Sequence, residues 1–371
     1  MTPFIWADPG WPSLEYDTAA VVRAALEVTR RQGHLLGRLH DTDDDVRERT
    51  ELSALTVDAV QTSAIEGELL AAESVRSSLA RRLGIQIGAA APSDRNADGV
   101  VDMILDAATN SDQPMSTERL FGWHTALFPT GRSGLHRLRV GAWRTDESGP
   151  MQVVSGRVGR EKVHFEAPPA DRVDAEIARF LDWFNQDSDT PAVVKAGLAH
   201  LWFVTIHPFD DGSGRIARAL GDLWLARSDE SPRRFYSLSA QIQRDRHEYY
   251  TILEATQRGS LDVTEWLVWF LETLCRAIDA ADRTVDDVLA KARFWHRWSE
   301  AALNPRQIML LNRLLDGDDR KKLTSSRWAH LTRCSQDTAL RDINELVHLG
   351  ILTRSSAGGR STSYELLDSS P

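Results

Sequence analysis

The residue types best suited to chemistry lie together in one stretch of the chain, residues 207–218, which reads HPFDDGSGRIAR. His207 is a candidate general base. Asp211 is a candidate ligand for a magnesium ion that arrives with phosphates, because magnesium prefers one or two carboxylates plus phosphate oxygens. Arg215 and Arg218 are three residues apart and therefore share one helix face, where an anion can lie between them and the loop. The stretch predicts a reaction on a phosphate chain.

The flanking sequence predicts a helix on each side of this stretch. The apolar run over residues 193–206 is typical of a mostly buried helix. Pro208 disfavours helical backbone at His207, so we expect the helix to end there. Gly212 and Gly214 allow successive backbone N–H groups to point at one anion. Helical periodicity resumes after Gly214, so the loop leads into a helix N-terminus, which is a common phosphate site.

The stretch resembles the signature of the Fic family, HPFx[D/E]GN[G/K]RxxR, and departs from it at Ser213, where the family usually has Asn. The resemblance implies a helical domain that transfers AMP from ATP to a hydroxyl group of a target protein. It implies His207 as the base and Asp211 as the magnesium ligand. It assigns the ATP phosphates to Gly212, Ser213, Gly214, Arg215 and Arg218. Gly214 in place of Lys favours the branch that transfers AMP over the branch that phosphorylates its target.

A second match lies upstream, at residues 62–67, which read TSAIEG. It resembles the [S/T]xxxE[G/N] motif of the inhibitory helix of many Fic proteins. The resemblance implies an inhibitory site made of Thr62, Glu66 and Gly67. There Glu66 would pair with Arg218 and block the seat of the ATP γ-phosphate. Two alternatives stay open: Glu66 is a solvated residue in a charged stripe with Glu68, or it orients a water molecule that removes AMP from a modified target.

Between the two motifs, residues 152–155 and 162–165 are short, partly β-branched runs around a turn that contains glycine, which predicts a β-hairpin. Together with the preceding GAWR at 141–144, they resemble the family's target-docking hairpin. The resemblance assigns target contacts to Gln152, Val153 and Val154. An exposed strand edge can align an extended target segment by main-chain hydrogen bonds. The alternative is a hairpin without a binding role.

A pair of tyrosines lies downstream of the signature. The family has a similar segment that faces the adenine and ribose, which implies ATP contacts for Tyr249, Tyr250 and Gln257. Aromatic rings at helical spacing also occur commonly in cores, so a packing role is the alternative.

Composition narrows the class of protein. The chain has 371 residues and a formal net charge of −10, which argues against a protein that coats nucleic acid or anionic membrane with its whole surface. Two cysteines, far apart in sequence, imply no disulfide framework. The first ten residues lack a basic start and an apolar core, and no apolar run approaches about 20 residues, so we expect neither a secretory signal nor a membrane span. We expect a cytoplasmic protein.

Hydrophobic periodicity predicts a mainly α fold. It comprises an N-terminal helical module with the inhibitory motif (1–85), a Fic catalytic domain with a small β-hairpin flap (86–281), a linker helix (282–304) and a winged helix-turn-helix domain (305–371). In the first module the amphipathic pattern predicts one inward-facing stripe, made of Val22, Leu26, Gln32, Leu36 and Leu39. The tryptophans of the catalytic domain, among them Trp183 and Trp224, are predicted to lie in the core.

The last 67 residues change character. Helices are predicted at 307–315, from Ser325 and from Ser335, followed by a hairpin with its turn at Gly358-Gly359. Residues 320–360 hold eight Lys or Arg against three Asp or Glu, the kind of local basic patch that binds DNA. The candidates for DNA contact are Gln336, Arg341 and Arg360. Winged helices also mediate protein–protein or dimer contacts, and that alternative stays open.

Taken together, the sequence predicts a protein adenylyltransferase that uses ATP and Mg²⁺, modifies a Ser, Thr or Tyr hydroxyl of a partner protein and is restrained by Glu66. One alternative is a hydrolase that removes AMP with the help of Glu66. Another is a DNA-binding transcriptional regulator whose Fic domain senses nucleotide. A homodimer is compatible with either, since the inhibitory glutamate can act within one chain or across two.

Overall fold

Helices make up most of the structure, a computed structural model, which confirms the predicted mainly α class. The structure describes residues 4–87, 91–92, 94–147, 149–156, 160, 162–231, 233–315, 323–355 and 362–367. The chain forms two compact units, Met1–Arg283 and Thr284–Pro371. Across the described residues, no helix is both long enough and apolar enough to cross a membrane.

The described residues of the first unit form ten complete α-helices, the first part of an eleventh that continues past Arg283, and two small antiparallel hairpins. The helices are α1 Thr18–His40, α2 Asp44–Ile65, α3 Ala72–Leu83, α4 Arg95–Thr109, α5 Thr117–Leu127, α6 Val173–Asn185, α7 Ala192–Ile206, α8 Ser213–Asp229, α9 Leu238–Arg244, α10 Arg246–Gln257 and α11 Thr264–Arg297. The strands are β1 Arg132–Ser133, β2 His136–Arg137, β3 Gln152–Ser155 and β4 Lys162–Glu166. Helix α11 continues into the range where a separate linker helix is expected.

Helices α7 and α8 pack against each other at the centre of this unit. Every residue of α7 from Val193 to Ile206 is buried, as expected for a helix that is apolar all round. Among the tryptophans expected in the core, Trp202 and Trp266 are buried, whereas Trp183 and Trp224 are only half-buried. The loop between α7 and α8 therefore starts and ends on two buried helices that pack closely against each other.

The buried stripe of α1 differs from the prediction. Gln32 and Leu39 are buried as predicted, but Val22 is 38% exposed and Leu26 is 65% exposed, and the other inward positions are Val21, Ala25, Val28 and Leu35. The buried amide of Gln32 donates hydrogen bonds of 2.7 Å to Asp229 and 3.0 Å to the Tyr236 hydroxyl, which explains how a polar residue lies in this stripe.

Helix α2 is fastened to the rest of the unit by a buried carboxylate. Asp58 is 3% exposed and accepts a hydrogen bond of 2.6 Å from the Ser237 hydroxyl and one of 3.3 Å from the Ser239 N–H, at the start of α9. Burying a carboxylate is costly unless donors surround it, so these bonds fix the position of α2. As a result, the residues that follow α2, from Glu66 onward, lie beside α8.

Besides the end of α11, the described residues of the second unit form three helices and a hairpin, in the order expected. They are α12 Pro305–Leu315, α13 Ser325–Thr332, α14 Gln336–His348, β5 Leu352–Arg354 and β6 Tyr364–Leu366. Ser335 caps α14 as predicted, but the cap of α13 is Thr324, whose hydroxyl accepts from the Arg327 N–H, and not Ser325. Trp328 and Ile343 lie in its buried core. The predicted turn at Gly358-Gly359 lies outside the described residues.

Candidate active site

The loop between α7 and α8 presents the imidazole of His207 from a turn. Helix α7 ends at Ile206, and His207 adopts a left-handed backbone with φ of 50°, while its N–H still donates to the Phe203 carbonyl at 3.0 Å. This conformation costs a non-glycine residue roughly 1–2 kcal/mol, so other contacts must hold it. The predicted end of the helix at this residue is confirmed by its dihedral angles.

The hydrogen bonding of His207 leaves one ring nitrogen able to take a proton. Its Nδ1 lies 3.3 Å from the Val204 carbonyl oxygen, which can only accept, so Nδ1 carries the hydrogen and Nε2 keeps its lone pair. Burial lowers the pKa of the His207 imidazole below its usual value of 6.5. The ring is therefore neutral near pH 7, as a general base must be.

Buried Arg144 holds this turn in place and was not predicted as a site residue. Its N–H donates to the Pro208 carbonyl at 2.9 Å, and its Nε donates to the His207 carbonyl at 2.8 Å. The same guanidinium donates to the Pro168 carbonyl and pairs with Asp146 at 3.1 Å. Arg144 is the last residue of the GAWR motif at 141–144, which we had assigned only to the docking hairpin.

The first turn of α8 offers unpaired N–H groups. Gly212 precedes the helix with a left-handed φ of 84° and provides no side-chain cap, and the first helical bond runs from the Ile216 N–H to its carbonyl. The N–H groups of the three residues between them, Ser213, Gly214 and Arg215, thus lack intrahelical acceptors. Such a helix end attracts anions, as the sequence predicts.

The unusual Ser213 makes bonds within the loop. Its hydroxyl accepts from the Phe209 N–H at 3.3 Å and lies 3.4 Å from the Phe209 carbonyl, to which it can donate. The side chain is 1% exposed, so it supports the backbone and does not reach into the cleft. This position therefore acts on the shape of the loop.

The structure brings the upstream motif and the second arginine of the signature together. Arg218 is 2% exposed and donates to the Glu66 carboxylate at 2.8 Å. It also donates to the hydroxyl of Thr62 at 2.7 Å and to its carbonyl at 2.9 Å. A Cβ built on Gly214 would lie only 2.3 Å from Glu66 Oε1, so the carboxylate rests directly against the start of α8.

The first arginine of the signature is also paired, with Glu68, to which the sequence analysis gave no partner. Arg215 is 3% exposed, and its Nη1 donates to Glu68. Gly67, between the two glutamates, has a left-handed φ of 84° that turns the chain between them. Within the part of the chain that is described, the buried Nε of Arg215 has no hydrogen-bond acceptor, which leaves a donor for a ligand.

Asp211 fits the role of a magnesium ligand that acts together with phosphates. Its side chain is half-buried, and its Oδ1 accepts from the Gly212 N–H at 2.6 Å and lies 3.9 Å from Arg215 Nη2. The described residues contain no group of three or more His, Cys, Asp or Glu side chains that could enclose a metal. A single carboxylate with phosphate oxygens matches magnesium, and a cage made only of protein ligands does not.

A second residue that the sequence analysis did not identify lies behind the loop. His124 in α5 is fully buried, accepts from the Gly141 N–H at its Nδ1 (3.1 Å) and contacts the Asp211 carbonyl through Nε2 (3.2 Å). Desolvation by burial lowers the pKa of this imidazole to about 4. The ring is stacked on Phe209 at 4.1 Å.

The residues expected to face the nucleotide base divide into two groups. Tyr249 is 2% exposed with its hydroxyl 3.0 Å from His200 Nε2, and the buried Gln257 amide donates to the Thr205 hydroxyl at 3.2 Å. Tyr250 is 37% exposed, and its hydroxyl donates to the Ile65 carbonyl at 3.3 Å, at the end of α2. Only Tyr250 therefore combines exposure with a place beside the inhibitory motif, and contact with ATP stays a prediction for all three.

The predicted hairpin is formed by β3 and β4. Gln152 pairs with Glu166 and Val153 with Phe165, and the register shifts between Val153 and Val154. Val154 is 47% exposed, and the Gln152 amide donates to the Glu166 carboxylate at 2.7 Å. The described part of β3 pairs on one side only, so its other edge can receive a strand.

In the second unit, the candidates for DNA contact have different surroundings. Gln336 opens α14 and donates to the Ser326 hydroxyl at 2.9 Å, which joins α13 to α14. Arg341 is exposed on α14. Arg360 lies outside the described residues. DNA binding stays a prediction.

Comparison with known proteins gives two family matches. Residues 114–225 match the Fic/DOC family model, and residues 4–85 match the model of a domain of unknown function (DUF4172). Protein adenylyltransferase fic-1 of Caenorhabditis briggsae is 31% identical over 129 residues, which is 34% of this chain and 24% of that protein. Protein adenylyltransferase Fic of Nematostella vectensis is 31% identical over 134 residues, 35% of this chain and 30% of that protein. The matches thus span about a quarter to a third of the length of these curated relatives.

Solved structures support the fold over a longer range. A Fic family protein from Desulfovibrio desulfuricans G20 aligns with a TM-score of 0.51 at 21% identity, covering 94% of this chain and 96% of its own. A Fic domain containing signaling protein from Bacteroides thetaiotaomicron aligns with a TM-score of 0.51 at 18% identity, covering 72% of this chain and 98% of its own. At these identities the likeness concerns the fold.

Proposed function

Because the chain contains a Fic domain, matched over residues 114–225, we propose that it is a protein adenylyltransferase that transfers AMP from ATP to a hydroxyl side chain of a target protein. The single observation that supports this most directly is the loop between α7 and α8. A neutral imidazole with a free Nε2 there stands beside a helix N-terminus with unpaired N–H groups and two buried arginines. These are the parts that a phosphate transfer to an alcohol requires.

In the proposed reaction, His207 Nε2 takes the proton of the target hydroxyl as its oxygen attacks the α-phosphorus of ATP. An oxygen–phosphorus bond forms to the target, the bond from the α-phosphorus to the bridging oxygen breaks, and pyrophosphate leaves. The N–H groups at the start of α8 stabilise the negative charge on the phosphate oxygens. Arg215 and Arg218 would hold the terminal phosphates through charge-assisted hydrogen bonds.

Asp211 would hold a magnesium ion that enters with ATP. Such an ion, when bound, neutralises phosphate charge and orients the triphosphate. The Gly212 N–H bond at 2.6 Å keeps the Asp211 carboxylate directed into the loop. Arg215 Nη2, 3.9 Å away, competes for the same oxygen in the described conformation.

We further propose that residues 62–68 restrain the enzyme. Glu66 occupies Arg218 and lies against Gly214, in the volume that a terminal phosphate would need. A carboxylate there also repels the triphosphate by like charge. The alternative, that Glu66 orients water for the removal of AMP, uses the same position beside the cleft.

The test uses a released variant, Glu66→Gly, incubated with ATP labelled on the α-phosphate, Mg²⁺ and a cell extract. We expect labelled protein bands, and none when His207→Ala is added to the same background. A target that already carries labelled AMP distinguishes addition from removal of AMP, since a hydrolase would release the label from that target. Absence of labelling with the released variant, together with release of AMP from the modified target by the unsubstituted protein, which keeps Glu66, would support the hydrolase in place of the transferase.

For the second unit, we propose DNA binding as a separate property. The support is the order of three helices and a hairpin, the exposed Arg341 and the basic balance of residues 320–360. A gel-shift titration with random-sequence duplex DNA, compared between the protein and Arg341→Glu, tests it. A positive result would show a steep loss of binding with salt, because phosphate contacts release counterions.

A further inference from the structure

We propose that His124 is a positioning residue, which fixes the Asp211–Gly212 peptide and thereby the direction of the Gly212 N–H and of the Asp211 carboxylate in the catalytic loop. The inference rests on the AMP-transfer function proposed above. His124 lies in α5, 87 residues before Asp211, and does not reach the cleft, since it is fully buried. Its action is therefore on the loop and not on substrate.

The hydrogen bonds of His124 determine its tautomer. The Gly141 N–H can only donate, and it points at Nδ1 at 3.1 Å, so Nδ1 must carry a lone pair. In a neutral ring the hydrogen is then on Nε2, which donates to the Asp211 carbonyl at 3.2 Å. The imidazole thus links a donor in the segment after α5 to an acceptor in the catalytic loop.

The direction of the Asp211 carbonyl decides the direction of the next N–H. In a trans peptide the C=O of one residue and the N–H of the next point to opposite sides. With the Asp211 carbonyl held by His124, the Gly212 N–H faces away from the ring and donates to Asp211 Oδ1 at 2.6 Å. A flipped peptide would turn a carbonyl toward the Asp211 carboxylate and remove the N–H that supports it.

Glycine makes such a flip accessible, so the loop needs a restraint. Gly212 has a φ of 84°, and glycine moves between positive and negative φ with little cost. The imidazole can resist the flip because its own orientation is fixed. It is stacked on Phe209 with the ring centroids 4.1 Å apart and an interplanar angle of 9°, and it forms a T-shaped contact with Phe128 with the centroids 5.1 Å apart.

Two substitutions separate the two hydrogen bonds of the ring. In the Glu66→Gly background, His124→Gln keeps an amide N–H near the position of Nε2, whereas His124→Asn keeps only an oxygen near the position of Nδ1. We expect His124→Gln to stay within about threefold of the parent in kcat for AMP transfer. We expect His124→Asn to lose about 10- to 100-fold in kcat with a smaller change in KM for ATP, the range found when a group that orients a metal ligand is removed.

Equal losses in the Gln and Asn variants, or losses that follow the fall in Tm, would overturn the proposal. The Glu66→Gly parent controls for the function itself, because a parent that transfers no AMP tells against the transferase irrespective of His124. A measurement on the unsubstituted protein then decides the positioning role. In histidine ¹⁵N spectra, the ring of His124, assigned by its loss in His124→Gln, should be a pure Nε2–H tautomer at pH 7 with a slowly exchanging proton, and an Nδ1–H form or a mixture at that ring contradicts it.

Discussion

The Glu66 carboxylate lies 2.8 Å from Arg218 Nη2, and Glu68, two residues further on, pairs with Arg215. The two arginines of the signature are thus each bound to a glutamate of one short upstream segment. In a chain that transfers AMP, each pair withholds one cation from the triphosphate. The two ion pairs are not equivalent, because only the Glu66 carboxylate also lies against Gly214 at the start of α8.

Replacing Glu66 is expected to activate the protein. Glu66→Gly frees the Arg218 guanidinium and the volume beside Gly214, so labelled AMP incorporation should rise at least about tenfold, equivalent to about 1.4 kcal/mol. Glu73→Gln, a change of an exposed glutamate on α3, is the matched control and should have no effect. A released variant no faster than the original chain would contradict restraint by Glu66.

Glu68 is expected to act as a second, separable restraint. Glu68→Gln should lower KM for ATP by a few fold, because Arg215 becomes available to phosphate, and the effect should persist in the Glu66→Gly background. A double-mutant cycle measures whether the two glutamates act independently. No change in KM in either background would mean that the Arg215–Glu68 pair is structural only.

Gly214 is expected to be intolerant of a side chain. In Gly214→Ala the new Cβ would lie 2.3 Å from Glu66 Oε1, so the carboxylate must move, and the methyl group then occupies the position that we propose for a phosphate. AMP transfer should fall at least about tenfold even in the Glu66→Gly background. Gly221→Ala, whose Cβ meets only the Ala196 carbonyl at 3.5 Å, is the control on the same helix. Equal activity of the two alanine variants would place the phosphates elsewhere.

The pH profile should reflect the lowered pKa of His207. A general base works in its deprotonated form, and desolvation shifts the pKa of this imidazole below 6.5, so the deprotonated form persists to lower pH. The kcat of Glu66→Gly is therefore expected to stay level from pH 8 down through pH 6.5 and to fall only below that value. A midpoint at or above pH 6.5 would argue against His207 as the base.

Much of the site could be predicted because its main residues are contiguous. The end of α7 at Ile206 and the N-terminus of α8 follow from one dense motif and from Pro208, whereas the contact of Glu66 with Arg218 was implied by the resemblance of a second short motif to the inhibitory helix of Fic proteins. Local rules on proline, glycine and helix ends suffice for the backbone.

The supporting contacts could not be predicted, since their partners are distant in sequence. Glu68 lies 147 residues from Arg215, His124 lies 87 from Asp211, and Arg144 is 63 from His207. No periodicity brings such pairs together. In the stripe of α1, Gln32 is buried as predicted, whereas Val22 and Leu26 are exposed and their neighbours Val21 and Ala25 are buried, so periodicity placed part of the stripe one position away.

The order of the two partners along the chain has a consequence for biosynthesis. Glu66 precedes Arg218 by 152 residues, and α2 ends before any part of the catalytic loop has been translated. Glu66 therefore leaves the ribosome well before Arg218. If the pair is inhibitory, the inhibitory segment is already present when the catalytic loop of each new molecule is completed, and an unrestrained form arises only by a later event.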